Sequence, residues 1–422
     1  MSDAATTHRA IDAVWRIEST RLIAGLTRIV RDVAVAEDLA QDALVAALEQ
    51  WPESGIPENP GAWLMVTAKR RGIDALRRRA TLERKQEMIG RELELIQQLD
   101  QPDLVAQVDE VEDDVLRLIF MTCHPVLSQD ARVALTLRLV GGLSTPEIAR
   151  AFLAPEATVA QRIVRAKRTL TQAHVPFEVP GSDELAERLS AVLEVVYLVF
   201  NEGYAATAGE HWTRPALCDD ALRLGRILAG LLPREPEVHG LLALMELQAS
   251  RLRARVGPGG APVLLADQDR ARWDRLLVQR GLAALRRAEA LSGALGPYTL
   301  QAAIAGCHAR ARTFEETDWP RIVALYDGLA ALTGSPVVEL NRAVAVTMAF
   351  GPQAGLELVD TLAEDPALRD YHLLPSVRGD LLVRLGRSAE ARDEFVRAAD
   401  LCANDREREL LLSRAVATTE PR

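Results

Sequence analysis

Aromatic side chains are scarce in this sequence, 4% of 422 positions, and cysteine occurs only four times. Cys123, Cys218, Cys307 and Cys402 stand far apart, with no CxxC pair. That excludes a disulfide framework and fits reduced, buried thiols in a cytoplasm. Cys123-His124 has no second ligand pair at metal spacing, and His211, His239, His308 and His372 are scattered singly, so neither a metal nor a cofactor is expected. The GxSxG, GxxxxGKS/T, HExxH and GxGxxG patterns are absent, which argues against an enzyme. The Met1–Asp12 stretch is polar, without the apolar core of a signal peptide, and Val195–Phe200, among the strongest apolar runs, is far too short to span a bilayer. Neither export nor a membrane partner is expected, and the predicted location is cytoplasmic. Alternating strand patterns are missing as well, which leaves an all-α chain.

What the sequence holds is helix-forming. Hydrophobic residues make up 48% and charged residues 26%, with alanine, leucine and arginine prominent. Glycine and proline punctuate the periodic segments at Pro52–Pro60, Gly141–Gly142, Pro176–Gly181, Gly257–Pro262, Gly296–Pro297 and Gly334–Pro336. The length suits two to three domains. The formal net charge is −10, so any contact with nucleic acid must come from local basic patches. Such patches lie at 69–85 and 162–168, separated by an acidic stretch at 100–114.

Two segments carry the first 80 residues. AEDLAQDALVAALEQW (Ala36–Trp51) has an apolar stripe, with Glu37, Asp38, Gln41, Asp42 and Glu49 largely off it. On an isolated helix such an acidic face also suits plain solvation. PGAWLMVTAKRRGIDALRRR (Pro60–Arg79) starts on a proline and carries Trp63 with Lys69, Arg70, Arg71, Arg77, Arg78 and Arg79. Cations that track phosphate, beside flat surfaces that accept unstacked bases, suit single-stranded DNA. A solubilising basic face over buried tryptophans is the plainer alternative.

Further on, Leu143–Ala149 opens a helix, with Ser144 or Thr145 as N-cap and Pro146 in its first turn. A turn at Leu153–Pro155 leads into Glu156–Leu170. This is helix-turn-helix spacing, with Val159, Ile163 and Ala166 facing inward and Gln161, Arg162, Arg165, Lys167 and Arg168 left for DNA or solvent. An ordinary helical hairpin has the same spacing.

Together these segments resemble the extracytoplasmic-function (ECF) sigma factors of bacterial RNA polymerase: residues 36–79 look like region 2 and LSTPEIARAFLAPEATVAQRIVRAKRTL like region 4. Arg70 stands where many members carry asparagine, and Ala160 where a basic residue is typical. The resemblance implies core RNA polymerase, through its clamp and flap, and promoter DNA as partners. It places Asp38, Leu39, Gln41 and Asp42 at the polymerase. It assigns Trp63, Lys69, Arg70, Arg71, Asp74, Arg77 and Arg78 to the −10 element. Thr158, Gln161, Arg162, Arg165, Lys167 and Arg168 fall to the −35 element.

A minimal factor of this kind would stop near residue 175. Here Gly379, Gly386, Ala391, Phe395 and Ala398 fall at the small and aromatic positions of a tetratricopeptide (TPR) unit, and Ala343, Gly355, Val359 and Leu362 form a weaker copy upstream. One unit does not bury its own faces, so a solenoid is expected. YLVFNEGYAA (Tyr197–Ala206), Asp267–Arg270 with Trp273, and NRAVAV (Asn341–Val346) resemble the ECF subgroup with a long TPR-type extension. In that subgroup the extension is thought to control sigma activity, which implies intramolecular contact with the sigma domains and leaves room for an unidentified protein partner. Asn201, Glu202, Asp267, Gln268, Asp269 and Asn341 are candidates to line a groove, or else they cap helices and bridge repeats.

The expected fold is all-α: a region 2 bundle at 1–80, a linker at 81–112, a region 4 helix-turn-helix at 113–175, a linker at 176–183 and a TPR-like α-solenoid at 184–422. The expected function is a sigma factor governed by its own C-terminal domain. The competing readings are a helix-turn-helix regulator without sigma activity and a TPR scaffold.

Overall fold

The computed structural model describes residues 2–82, 108–152, 154–206 and 212–418. Among these the regular structure is helical, with a single isolated bridge between Val256 and Pro262 and no strand, so the fold is all-α as expected. No helix among them is long and apolar enough to cross a membrane. Two compact units divide at Val196/Tyr197, inside one continuous helix.

The first unit contains α1 (Ser2–Val30), α2 (Val33–Ser54), α3 (Pro60–Leu82), α4 (Val108–Thr122), α5 (Gln129–Leu139), α6 (Thr145–Ala151), α7 (Glu156–Gln172) and the first part of α8 (Ser182–Tyr204). Asp32 sets the start of α2 by accepting hydrogen bonds from the Ala34 and Val35 amides at 2.8 and 3.1 Å, so the helix begins before Ala36. It also runs through Pro52 to Ser54, where a turn was expected; Pro52 lies in the last turn. Ala36, Ala40, Ala43 and Ala47 recur at helical spacing and are fully buried, which lets α2 lie close against its neighbours. α1, α2 and α3 form a bundle, and α4 packs on α1.

Ser144 closes a capping box with Glu147 at the head of α6: Glu147 accepts from the Ser144 amide at 2.8 Å. The turn before it needs glycine, because a Cβ at Gly141 would meet the Leu137 carbonyl oxygen at 2.5 Å and Gly142 has φ +69°. Within the same unit, α8 lies against α4 and α5: Arg188 donates to the Phe120 carbonyl at 3.0 Å, and Glu194 accepts from Gln129 at 2.9 Å.

The second unit contains the end of α8, then α9 (Pro215–Leu231), α10 (Pro236–Ala249), α11 (Arg275–Leu291), α12 (Pro297–Arg310), α13 (Trp319–Thr333), α14 (Pro336–Phe350), α15 (Pro352–Leu362), α16 (Leu373–Arg384), α17 (Ser388–Leu401) and α18 (Asp405–Ala417). Between α10 and α11 the chain is irregular, with short 3-10 turns that run on both sides of the break expected at Gly257–Pro262. The cause is local: Pro258, Gly259, Gly260 and Pro262 break the periodicity, while Asp269 caps the turn at Arg270–Arg272 and Asp274 caps α11. From α14 onward, consecutive helices pair around a core that includes Ala343, Val359, Ala391, Phe395 and Ala398. Gly379 is the close-approach point, since a Cβ there would lie 2.8 Å from the Phe395 ring. All four cysteines are buried, and burial pushes the Cys218 thiol up to about 12 and the Cys402 thiol up to about 11.

His308 is buried on α12 against the edge of Trp319, its ring centroid 5.2 Å from the indole. Burial, then the charges of Arg251 and Arg270, push its pKa down to about 3. The unfolded chain binds this proton near pH 6.5 and the folded chain does not, so stability is complete above pH 6.5 and falls as pH drops toward 3. Between pH 7 and pH 5 the second unit should lose about 2 kcal/mol through this group. Urea titrations at the two pH values check this, and His308→Gln should remove most of the loss.

Candidate nucleic-acid interface

α2 and α3 present one side of the site. Asp38 and Asp42 are exposed on α2 and Gln41 is half-buried. Leu39, expected on the same outward surface, is 7% exposed and belongs to the buried stripe of α2. Burial raises the Asp38 pKa; Lys167 opposes this, and the nearby carboxylates Glu37, Asp42 and Asp32 add to it. Arg71 ties the two helices together by donating to the Asp42 carbonyl at 2.8 Å and pairing with Glu49 at 3.4 Å.

Trp63 is half-buried and packs edge-on against the buried Trp51, with centroids 5.2 Å apart. The pair gives α3 a flat, fixed platform beside its cations. Arg70 is exposed; Lys69 is half-buried, its pKa lowered by burial and then by Arg28. Asp74, Arg77 and Arg78 lie on α3, but their side chains fall outside the described residues.

α7 presents the other side. Val159, Ile163, Ala166 and Leu170 are buried along one face, so the remaining face is left for solvent. Thr158, Gln161, Arg165 and Arg168 are exposed or half-buried there, and Arg162 pairs with Asp130 at 2.9 Å. Thr158, Gln161, Arg162 and Arg165 share a shallow depression of about 380 Å³ with Asp130.

Lys167 does not join that face. Its ammonium pairs with Glu37 of α2, whose side chain is only 5% exposed. The other oxygen of Glu37 accepts from Arg138 Nε at 2.7 Å and from Gln41 at 3.4 Å. Around this carboxylate, Thr20 donates to the Val140 carbonyl at 2.9 Å and Thr171 to Asp32 at 3.2 Å. The sequence pattern puts Glu37 on an acidic face and hides its role as the joint between the two modules.

Four of the six candidates in the second unit make local contacts. Glu202 pairs with Arg214, Gln268 donates to the Val263 carbonyl at 3.1 Å, and Asp269 caps the Ala271 amide at 2.9 Å. Asn201 hydrogen-bonds the Tyr197 hydroxyl, while Asp267 and Asn341 are exposed.

Comparison with known proteins assigns these modules. Residues 17–81 match the family model for sigma-70 region 2, and residues 117–170 match the model for sigma-70 region 4. Residues 188–289 match a family of unknown function. An uncharacterized protein of Rhizobium meliloti is 46% identical over 385 residues, covering 90% of this chain and 89% of its own. A probable ECF RNA polymerase sigma factor, SigI of Mycobacterium tuberculosis, is 26% identical over 298 residues, covering 60% of this chain and 99% of its own. The RNA polymerase sigma-H factor of Pseudomonas aeruginosa is 26% identical over 174 residues, covering 40% of this chain and 88% of its own.

Removing one partner of a buried ion pair strands the others, at a cost of about 3 kcal/mol or more. Glu37→Gln should therefore destabilise the first unit by about that amount in urea unfolding. Glu37→Gln/Lys167→Met should recover part of it, because no ammonium is then left unanswered. An unchanged Glu37→Gln midpoint would mean that the joint does not hold in solution.

Proposed function

We propose that the chain works as an ECF-like sigma factor of the sigma-70 family, a transcription initiation factor and not an enzyme, and that its own residues divide that work as follows. Asp38, Gln41 and Asp42 on α2 dock on the polymerase clamp. Trp63 and the cations of α3 melt and hold the −10 element. Gln161, Arg162 and Arg165 on α7 read the −35 element, and Arg168 binds phosphate. The observation that carries this division is α7: its apolar face is buried, and its polar face stands open behind a capped first helix. That is the posture of a recognition helix in a major groove. The reading also puts the chain in the cytoplasm, with the polymerase.

The joint at Glu37 adds a step to this reading. The two promoter elements lie roughly 50–70 Å apart, at ~34 Å per helical turn. With Lys167 paired to Glu37, α2 and α7 touch. The joint must therefore open before both elements are read. A chain of the length of residues 83–107, which lie between α3 and α4, spans at most roughly 85 Å when fully extended, enough for the span. The paired helices from α14 onward support a TPR-like extension, and we assign it control over this opening, which is a task often left to a separate protein.

In vitro transcription with purified core polymerase tests the assignment, with the upstream region of the protein's own operon among the templates. A discrete start site should appear and be lost in Asp38→Arg/Asp42→Arg, together with polymerase binding in pull-down. Duplex binding without polymerase binding would instead make the chain a helix-turn-helix regulator. A chain ending at Tyr204, which keeps α8 whole, should start transcription at a rate different from the full chain; an equal rate would discard control by the extension.

A further inference from the structure

The second unit concentrates cations that its own carboxylates do not answer. Arg255 lies 3.8 Å from the centre of the Tyr204 ring and 5.2 Å from that of Trp212. Arg251 and Arg270 lie 5.6 and 5.0 Å from the centre of the Trp273 ring. Their hydrogen bonds go to neutral acceptors: Arg251 to the Tyr204 hydroxyl, Arg255 to the Tyr204 carbonyl at 3.2 Å, and Arg270 to the His308 and Ala311 carbonyls at 2.5 and 2.8 Å. The Nε atoms of Arg251 and Arg255 and the indole nitrogen of Trp273 are buried with no hydrogen-bond partner among the described residues. Burial, opposed by Tyr204 and reinforced by the charge of Arg251, lowers the pKa of Arg255. The acids that act on Arg270 are Glu315 and Glu316, on an exposed turn, and Glu316 already accepts the Arg312 amide at 3.1 Å.

Trp273 and Arg270 also wall a cavity of about 380 Å³, lined further by Arg275, Val278, Ala309 and Arg312 and by no carboxylate. Guanidinium forks match the oxygens of carboxylate and phosphate groups, and the volume suits a small molecule. Of the cluster only Arg270 reaches this cavity; the cavity's other cations, Arg275 and Arg312, are exposed, and three guanidinium groups beside a buried indole with no carboxylate in the lining favour a bound anion. We propose that this cavity binds a small organic polyanion bearing phosphate or carboxylate groups, with Arg270, Arg275 and Arg312 holding the charges and Trp273, Val278 and Ala309 the apolar part. The extension would then carry its own small-molecule input.

Isothermal titration calorimetry on the full chain tests this with two probes, pyrophosphate and citrate, each at matched ionic strength. The expected result is one saturable site per chain. Arg275→Glu/Arg312→Glu should weaken it at least tenfold, and Arg162→Glu/Arg165→Glu on α7 should leave it within twofold. Saturation by pyrophosphate alone identifies a phosphate-bearing ligand; saturation by citrate alone identifies a polycarboxylate. If circular dichroism shows that the charge reversal unfolds the unit, Arg275→Gln/Arg312→Gln takes its place, with the same tenfold loss expected. Absence of saturable binding by either probe, or binding that vanishes with Arg162 and Arg165 but not with Arg275 and Arg312, overturns the proposal. The assay uses neither promoter nor polymerase, so its outcome is independent of the sigma assignment.

Discussion

Close approach of helices through small side chains is the constraint on which the rest of this structure depends. With few aromatics available, only a handful of large rings, Trp51, Phe120, Phe200 and Phe395 among them, fill the cores. Ala36, Ala40, Ala43 and Ala47 bring α2 against its neighbours, and Gly379 brings α16 onto Phe395. Packing at this distance leaves little slack, so a change of even one methylene is felt. It also fixes the outward residues: once the alanine stripe of α2 is buried, Asp38 and Asp42 face outward.

The Glu37 carboxylate works within that frame. It sits one residue from Asp38, proposed to dock on the polymerase, and its partner Lys167 sits on the helix proposed to read the −35 element. A buried ion cluster of this sort contributes more to choosing one arrangement than to net stability. The two working faces of the first unit are thereby coupled through a single side chain. Separating them means returning three charges, Glu37, Arg138 and Lys167, to water.

Much of this was legible along the chain because the signals were local. The capping box at Ser144 announces α6 within four residues, and the burial pattern of α7 follows from its own periodicity. The acidic face of α2 and the basic ridge of α3 were likewise readable as surfaces. Leu39 takes a docking role from family likeness and an inward place from its own stripe, and the structure buries it. Glu37 was not legible, since Arg138 lies 101 residues away and only the folded chain brings them together. The Arg251, Arg255 and Arg270 cluster escaped for the same reason: Tyr204 and Trp273, which organise it, come from separate segments. The break between α10 and α11 was legible at Gly257–Pro262, while its continuation to Arg272 was not.

The four thiols have a use of their own. Each is buried and each has its pKa raised, with burial as the leading cause. Only a thiolate reacts readily with an alkylating reagent, so in the folded chain none of them should compete for it. Cys123 follows α4, Cys218 lies in α9, Cys307 in α12, and Cys402 caps the end of α17. Without any engineered label, the native sequence therefore carries four reporters of local opening, one at the sigma modules and three spaced along the extension.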